Sequence, residues 1–302
     1  MHVLKNILII ICTGLYCNSL LGSEFLHLNL TPPTSKVTEF ESSHRAKPVK
    51  QYWLQESTDP KSTTAWLHQA NGKIKKLQLH FDASGGKIIF KSKWADKATH
   101  GPNRIFVVSE ILWQEKQIIR TAQWLNLNHS CAWGHPFKFT PERLQLSPDP
   151  QAPLEIMPIG FWDSNLHDQL DSAHRVTLQI LHFGNPAAQA TLLVTTGNGW
   201  QKRFTADKQG KVTLHLIRDH YPASWYDFQH HHPQRVWFEA SYSPQEKVPG
   251  YTASLPYRYT PTPYDYKSLT WGLWVFIIAS IMTIGAIIIF RYQRKIRVKK
   301  KW

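Results

Sequence analysis

The chain has 302 residues, a hydrophobic fraction of 42%, three cysteines and a formal net charge of +14. Seven of the positive charges lie in residues 291–302 and one is Lys5, so the part between them is only mildly basic. That part has no nucleic-acid-binding motif, and we expect no nucleic-acid partner. Two cysteines lie within the first 22 residues, which excludes a small disulfide-stabilised scaffold.

Residues 1–22 have the pattern of a secretory signal peptide. Lys5 precedes an apolar stretch over residues 7–21, and cleavage is predicted near Gly22 or Ser23. An uncleaved signal anchor is the alternative, and it would leave the same body outside the cytoplasm. Removal of the signal would leave Cys131 as the only cysteine of the exported chain.

Residues 23–146 are predicted to form a β-rich region. Residues 24 to about 65 are rich in residues that favour turns and loops, and strand-like alternation begins near Lys73. The segments RIFVVSEILW and QIIRTAQWL are β-branched or aromatic runs separated by a short polar break, which indicates a hairpin.

A second series of strands is predicted over residues 147–247, after the proline-rich joint SPDPQAP. Six short apolar segments alternate with the turn sequences FGNP, TGNG and DKQG, and no amphipathic helix separates them. This pattern favours an all-β fold, an antiparallel sandwich, with two β domains in the whole chain.

Residues 248–269 are rich in proline and tyrosine and are predicted to form an extended stalk above the membrane surface. Residues 270–290 follow as an uncharged transmembrane helix, long enough to cross about 30 Å of hydrocarbon. The basic tail, residues 291–302, is expected in the cytoplasm by the positive-inside rule. The chain is therefore predicted to be a single-pass type I protein of the inner membrane, with its main body in the periplasm.

The second series of strands carries a set of recognisable residues: Glu155 in LEI, Gly184 with Pro186 and Ala190, and Thr205-Ala206-Asp207 with Gly210. Through these residues the chain resembles, over about 131–247, a periplasmic transthyretin-like or Ig-like sandwich family associated with bacterial nickel and cobalt uptake. Asp207 and Gly210 also suit a turn, through hydrogen bonds to backbone amides and through a positive φ. The resemblance implies a β-sandwich that binds nickel or cobalt beside a membrane importer. Members of that family often carry a histidine near the mature N-terminus, for which His27 is the nearest candidate.

The densest group of potential metal ligands is the segment NHSCAWGH, which contains His129, Cys131 and His135. Imidazole and thiolate are ligands that nickel, cobalt, copper and zinc accept. On an extended strand these three side chains share one face, and His135 reaches the other two only if the chain turns at Gly134 and Pro136. The alternative is a structural strand in which Cys131 is a small buried apolar residue.

His220, His230, His231 and His232 are predicted to lie on a loop that captures divalent ions weakly and releases them on acidification. A solvated polar loop without a metal is the alternative. The sequence has no G-x-S-x-G, P-loop, HExxH or C-x-x-C motif, so no enzyme is expected. A thiol-dependent enzyme at Cys131 is the weakest hypothesis.

These observations predict a metal-binding accessory protein that hands a transition ion, nickel or cobalt first, to an importer in the lipid bilayer. The alternative is a non-catalytic scaffold or interaction module of an envelope membrane complex, with an integral membrane partner and no metal.

Overall fold

The structure is a computed structural model, and it describes residues 23–33, 49–91, 97–128, 144–162, 170–219, 234–245, 249–260 and 269–299. Within these residues, the elements are β-strands followed by one long helix. The elements in chain order are β1 (Leu28–Asn29), β2 (Val49–Leu54), β3 (Thr64–His68), β4 (Ile74–Lys76), β5 (Leu79–Asp82), β6 (Gly85–Lys91), β7 (Gly101–Trp113), β8 (Lys116–Asn128), β9 (Glu155–Ile159), β10 (Leu170–Asp171), β11 (Arg175–His182), β12 (Asn185–Pro186), β13 (Thr191–Thr196), β14 (Gln201–Thr205), β15 (Lys211–His215), β16 (Gln234–Tyr242), β17 (Gly250–Thr260) and α1 (Leu269–Lys299).

A long sheet runs through the β body in the order β14-β13-β16-β17-β8-β7-β3-β4, with β10 beside β17. Four of its strands come from the first half of the chain and four from the second. The two groups meet where β17 pairs with β8 in parallel, from Gly250 opposite Ile118 to Ser254 opposite Ala122. The remaining neighbours along this path are antiparallel, as the predicted hairpin β7–β8 is over its whole length.

Each half of the long sheet is covered by a smaller sheet, which creates two hydrophobic cores. The sheet β1-β2-β6-β5 encloses a core of residues from Leu26 to Trp124. Strands β9, β11, β12 and β15 enclose a second core of residues from Leu125 to Tyr259. Alternating burial along β11 and β13 shows why these sequences form half-buried strands. The predicted all-β sandwich with one apolar C-terminal helix is therefore confirmed.

The two halves nevertheless belong to one compact unit, because backbone hydrogen bonds continue across the β8–β17 junction. The proline-rich joint is also packed rather than open, since Asp149, Ala152 and Leu154 are completely buried. The two predicted β domains thus have separate cores but share a sheet.

The predicted stalk is wrong for Gly250–Thr260, which is the central strand β17 of the long sheet. Tyr251, Tyr257 and Tyr259 are buried in the second core and not available to lipid headgroups. The prolines misled the prediction because proline usually disrupts inner strands. Pro256 lies beyond the parallel pairing that ends at Ser254, so its missing N–H removes no bond to β8.

Helix α1 carries a segment, Thr270–Ile296, that is long and apolar enough to cross a membrane. It starts where the transmembrane helix was predicted, and the helical backbone continues beyond Phe290 into the basic tail.

Candidate functional site

Most of the predicted metal ligands lie outside the described residues. They are His129, Cys131, His135, His220, His230, His231 and His232. The structure therefore leaves these predictions untested, and it describes only the remaining candidate, His27. Among the described residues, no group of three or more histidine, cysteine or acidic side chains is arranged to hold a metal ion.

His27 is held between two carboxylates that come from different halves of the β body. Its Nδ1 lies 2.6 Å from Oε1 of Glu56, and its Nε2 lies 2.7 Å from Oε1 of Glu239 on β16. Its backbone N–H donates to the other oxygen of Glu56. The ring also packs edge-on against Trp237. Both ring nitrogens thus have partners, and a metal ion would have to displace one of the carboxylates.

The two carboxylates change the charge state of His27. Burial lowers the pKa of the imidazole, but the hydrogen bonds and charges of Glu239 and Glu56 outweigh burial and raise this pKa to about 9. His27 is therefore an imidazolium at neutral pH and donates a hydrogen bond to each acid. A protonated ring has no lone pair for a metal, so this arrangement is suited to holding the fold together.

The N-terminal segment around His27 is fixed to the long sheet by further hydrogen bonds. The hydroxyl of Thr252 donates to the backbone carbonyl of Glu24 at 2.8 Å, and that of Ser254 donates to the carbonyl of Leu26. Arg235 on β16 donates to the side chain of Asn29 at 2.8 Å. Residues 24–29 therefore contact the second half of the body although they precede the first.

A second cluster of buried charges joins the proline-rich joint to the first half. Arg104 on β7 donates to Glu155 on β9 and to the carbonyl of Ser147. The indole of Trp66 donates to Asp149 at 3.0 Å, and the amide of Asp149 donates to Glu155 at 2.9 Å. His68 completes the cluster, with Nδ1 2.7 Å from Arg104 and 3.1 Å from Asp149.

The two acids of this cluster respond differently to burial. Burial raises the pKa of Glu155, although the adjacent Arg104 acts in the opposite direction. Burial also acts to raise the pKa of Asp149, but hydrogen bonds from His68, Trp66 and the amide of Gln151 outweigh it and lower this pKa. The cluster is internally paired, and its chemistry is that of a structural ion network.

Two turn residues of the family resemblance have the structural roles expected of them. Asp207 accepts hydrogen bonds from the amides of Gln209 and Lys211, each at 2.8 Å. Gly210 has a φ of +71°. These roles would suit many sandwiches, so they carry no metal chemistry.

Described residues that flank the predicted ligand segments lie toward one end of the long sheet. Gln234, which follows the histidine triplet, is opposite Tyr259. The hydroxyl of Tyr259 donates to Asp219, the residue before His220. Strand β8 runs parallel to β17 and ends at Asn128, the residue before His129. Because β8 and β17 run in the same direction, Asn128 and Tyr259 lie toward the same end of the long sheet.

Sequence reasoning did not single out Glu56, Glu239, Arg104 or Asp149. A single acid within an apolar strand, as in VWFEASY and LEIMP, is the one signal that pointed to buried pairs. The side chains with which Glu56, Glu239 and Arg104 form ion pairs are 29 to 212 residues away along the chain, which spacing does not predict.

No protein-family model matches the chain, and no curated protein matches it. Similar solved structures include a Ca²⁺-stabilised adhesin of an Antarctic bacterium that binds ice, with 13% identity over 81% of this chain, 49% of that chain and a TM-score of 0.23. A tetra-tandem repeat from the extending region of a large adhesion protein has 12% identity over 80% and 50% of the two chains, with a TM-score of 0.22.

A surface-located polysaccharide-binding protein of Bacteroides thetaiotaomicron is also similar, with 10% identity over 70% of this chain, 31% of that chain and a TM-score of 0.21. The chain spans about half the length of the two adhesion proteins. At these TM-scores the similarities carry no argument about function.

Proposed function

We propose that the protein is a membrane-anchored, non-catalytic interaction module of a bacterial envelope. The observation that carries this proposal is that two buried ion pairs, His27 with Glu239 and Arg104 with Glu155, join separate parts of the β body. Catalytic groups are instead presented to a substrate in a cleft. A body joined in this way offers fixed surfaces to a partner.

Helix α1 supports an anchoring role, because Thr270–Ile296 has the length and composition of a membrane span. The basic residues after it favour a cytoplasmic tail and a periplasmic body, in a single-pass type I arrangement. The partner is then an integral membrane protein or another envelope protein.

In-cell photo-crosslinking of the full chain tests this proposal. A photoreactive phenylalanine analogue is placed at exposed positions on different faces, for example Ile74, Leu112, Phe183 and Thr205. We expect a discrete adduct with one envelope protein from one face and none from the others. Absence of adducts from every face would contradict the proposal.

Metal binding is a second candidate function, in which nickel or cobalt is handed to an importer. The observation that favours it is that Asn128, Asp219 and Gln234, which flank the predicted ligand segments, lie toward the same end of the long sheet. The proposed ligands are His129, Cys131 and His135, with His220 and His230 to His232 collecting ions.

Calorimetric titration of the full chain in detergent with Ni²⁺, Co²⁺, Cu²⁺ and Zn²⁺ tests this second function. We expect binding that is lost in Cys131→Ser and weakened when the histidine triplet is replaced by glutamine. Affinity should fall on acidification because the ligands must be deprotonated. His27→Gln is the matched control and should leave binding unchanged, since both nitrogens of His27 already have partners. Unaltered binding in Cys131→Ser would contradict the assignment.

A further inference from the structure

Strand β4 forms one edge of the long sheet and has no described strand on its outer side. The amide of Gln69 donates to the carbonyl of Lys73, and that of Leu77 donates to the carbonyl of Ala65. Residues 73, 75 and 77 therefore bond inward to β3. Because antiparallel pairing alternates, the backbone N–H and C=O groups of Ile74 and Lys76 point outward. They can bond one additional strand.

An open groove of about 330 Å³ lies beside this edge, lined by Thr64, Ala65, Trp66, Ile74, Lys76 and Gln151. The ring of Trp66 is stacked on Phe106, with centroids 5.2 Å apart, which fixes the apolar wall of the groove. Ile74 is 38% exposed. An apolar side chain of an added strand would bury the exposed part of Ile74 beside the edge of Trp66.

Three lysines surround this edge and are exposed: Lys73, Lys75 and Lys76. Among the described residues they form no salt bridge. Alternation places Lys76 with Ile74 on the face of the groove, and Lys73 with Lys75 on the other face. Lysines on an edge strand oppose pairing with a second copy of the same edge, because the charges repel. They favour a strand that carries acidic residues.

We propose that β4 binds an extended acidic segment of a partner protein by strand addition. The backbone of the segment pairs with Ile74 and Lys76, one apolar side chain enters the groove beside Trp66, and acidic side chains meet the three lysines. The proposal rests on the proposed function as an interaction module and specifies the chemistry of its partner.

The test uses the full-length chain, immobilised in detergent, and a phage-displayed library of random dodecapeptides. Enriched peptides are synthesised, and their dissociation constants are measured by fluorescence polarisation. Ile74→Pro removes an outward N–H and leaves the inward pairing of residues 73, 75 and 77 in place. Lys76→Glu reverses a charge beside the groove. Lys202→Glu, on β14 at the opposite end of the same sheet, is the matched control.

We expect the enriched peptides to alternate acidic and apolar residues. Loss of one backbone hydrogen bond should weaken binding at least about fivefold in Ile74→Pro. Lys76→Glu should weaken binding by a similar factor, and Lys202→Glu should have no effect. If Ile74→Pro lowers the melting temperature strongly, the comparison of the two glutamate variants decides the question.

Enrichment of basic or uncharged peptides would overturn the proposal, as would acidic peptides whose affinity is the same in Lys76→Glu and Lys202→Glu. Heparin, a polyanion without a peptide backbone, is the competitor. Heparin binding as tight as that of the peptides, and insensitive to Ile74→Pro, would show that the lysines bind charge alone and would also overturn it. Cross-links from faces other than β4 would leave the interaction module intact while removing this assignment.

Discussion

At the scale of single residues, buried ion pairs connect parts of the β body that are far apart along the chain. His27 connects the N-terminal segment to Glu56 and Glu239, and Arg104 connects β7 to Glu155 on β9 and to Ser147 in the proline-rich joint. His27 and Arg104 each lie beside an acidic side chain, which offsets the cost of burying their charges.

The charge of His27 makes stability depend on pH. Its pKa is raised to about 9 in the folded chain, above its ordinary value of 6.5. The stability that the charged His27 contributes is therefore fully present below pH 6.5 and is lost as the pH rises through 9. At pH 6 the free energy of unfolding of the wild type should exceed that of His27→Gln by roughly 2–3 kcal/mol. Denaturant unfolding at several pH values measures this difference.

His80→Gln is the control for the His27 experiment, because His80 is exposed on β5. It should change stability little at any pH. A stability difference between the wild type and His27→Gln that grows from pH 6 to pH 9 would contradict the charge state assigned to His27.

Removal of Arg104 should be strongly destabilising. Arg104→Met leaves Glu155 buried without its cation, which should lower the free energy of unfolding by roughly 3–5 kcal/mol. Adding Glu155→Gln to this variant should restore part of the loss, because a neutral amide costs less to bury than a lone carboxylate. Chemical denaturation of the four variants of this cycle measures the coupling, and strict additivity would argue against the network.

At the scale of elements, turn residues specify local backbone structure, whereas apolar runs do not specify which strands pair. The tight turn after β14 is set by Asp207 and Gly210, where backbone and side chain agree. Strands β8 and β17 pair in parallel although they are far apart in the chain, and no local sequence pattern predicts this pairing.

Gly210→Ala should be among the most damaging glycine substitutions in the described body. A Cβ at this position would lie 2.4 Å from the carbonyl oxygen of Ile180, in addition to the strain of φ at +71°. We expect a loss of about 3 kcal/mol or more, because backbone must shift. Gly199→Ala isolates the strain, since Gly199 has a φ of +86° and no atom within 4 Å of the added Cβ, and it should lose only about 1 kcal/mol. Thermal unfolding compares the two, and equal losses would contradict the assigned packing.

The substitution Ala253→Asp tests whether Gly250–Thr260 is a central strand or part of an exposed stalk. Ala253 is 1% exposed on β17, so a carboxylate there would be buried without a partner and should cost roughly 3 kcal/mol or more. The exposed Thr205→Asp on β14 is the control and should change stability by about 0.5 kcal/mol or less. If Ala253→Asp were as stable as the wild type in unfolding experiments, the result would support an exposed stalk instead of a central strand.

At the scale of the whole molecule, the proposal depends on which side of a membrane the β body occupies. We expect alkaline phosphatase fused after Trp302 to be inactive and a fluorescent protein fused there to be bright, because the basic tail should remain in the cytoplasm. The opposite pair of results would place the body in the cytoplasm. A fusion within the described body, after Ser243, provides the matched reporter for the other side.

The β class, the hairpin β7–β8, the turn at Asp207 to Gly210 and the apolar helix α1 are determined by the sequence itself. They follow from local features, namely alternation, turn chemistry and an uninterrupted apolar length. The tertiary structure decided that Gly250–Thr260 is a buried central strand and that His27 lies between Glu56 and Glu239. It also decided that the two cores share one sheet. These features depend on contacts between residues far apart in the chain, and such contacts leave no periodic trace in the sequence.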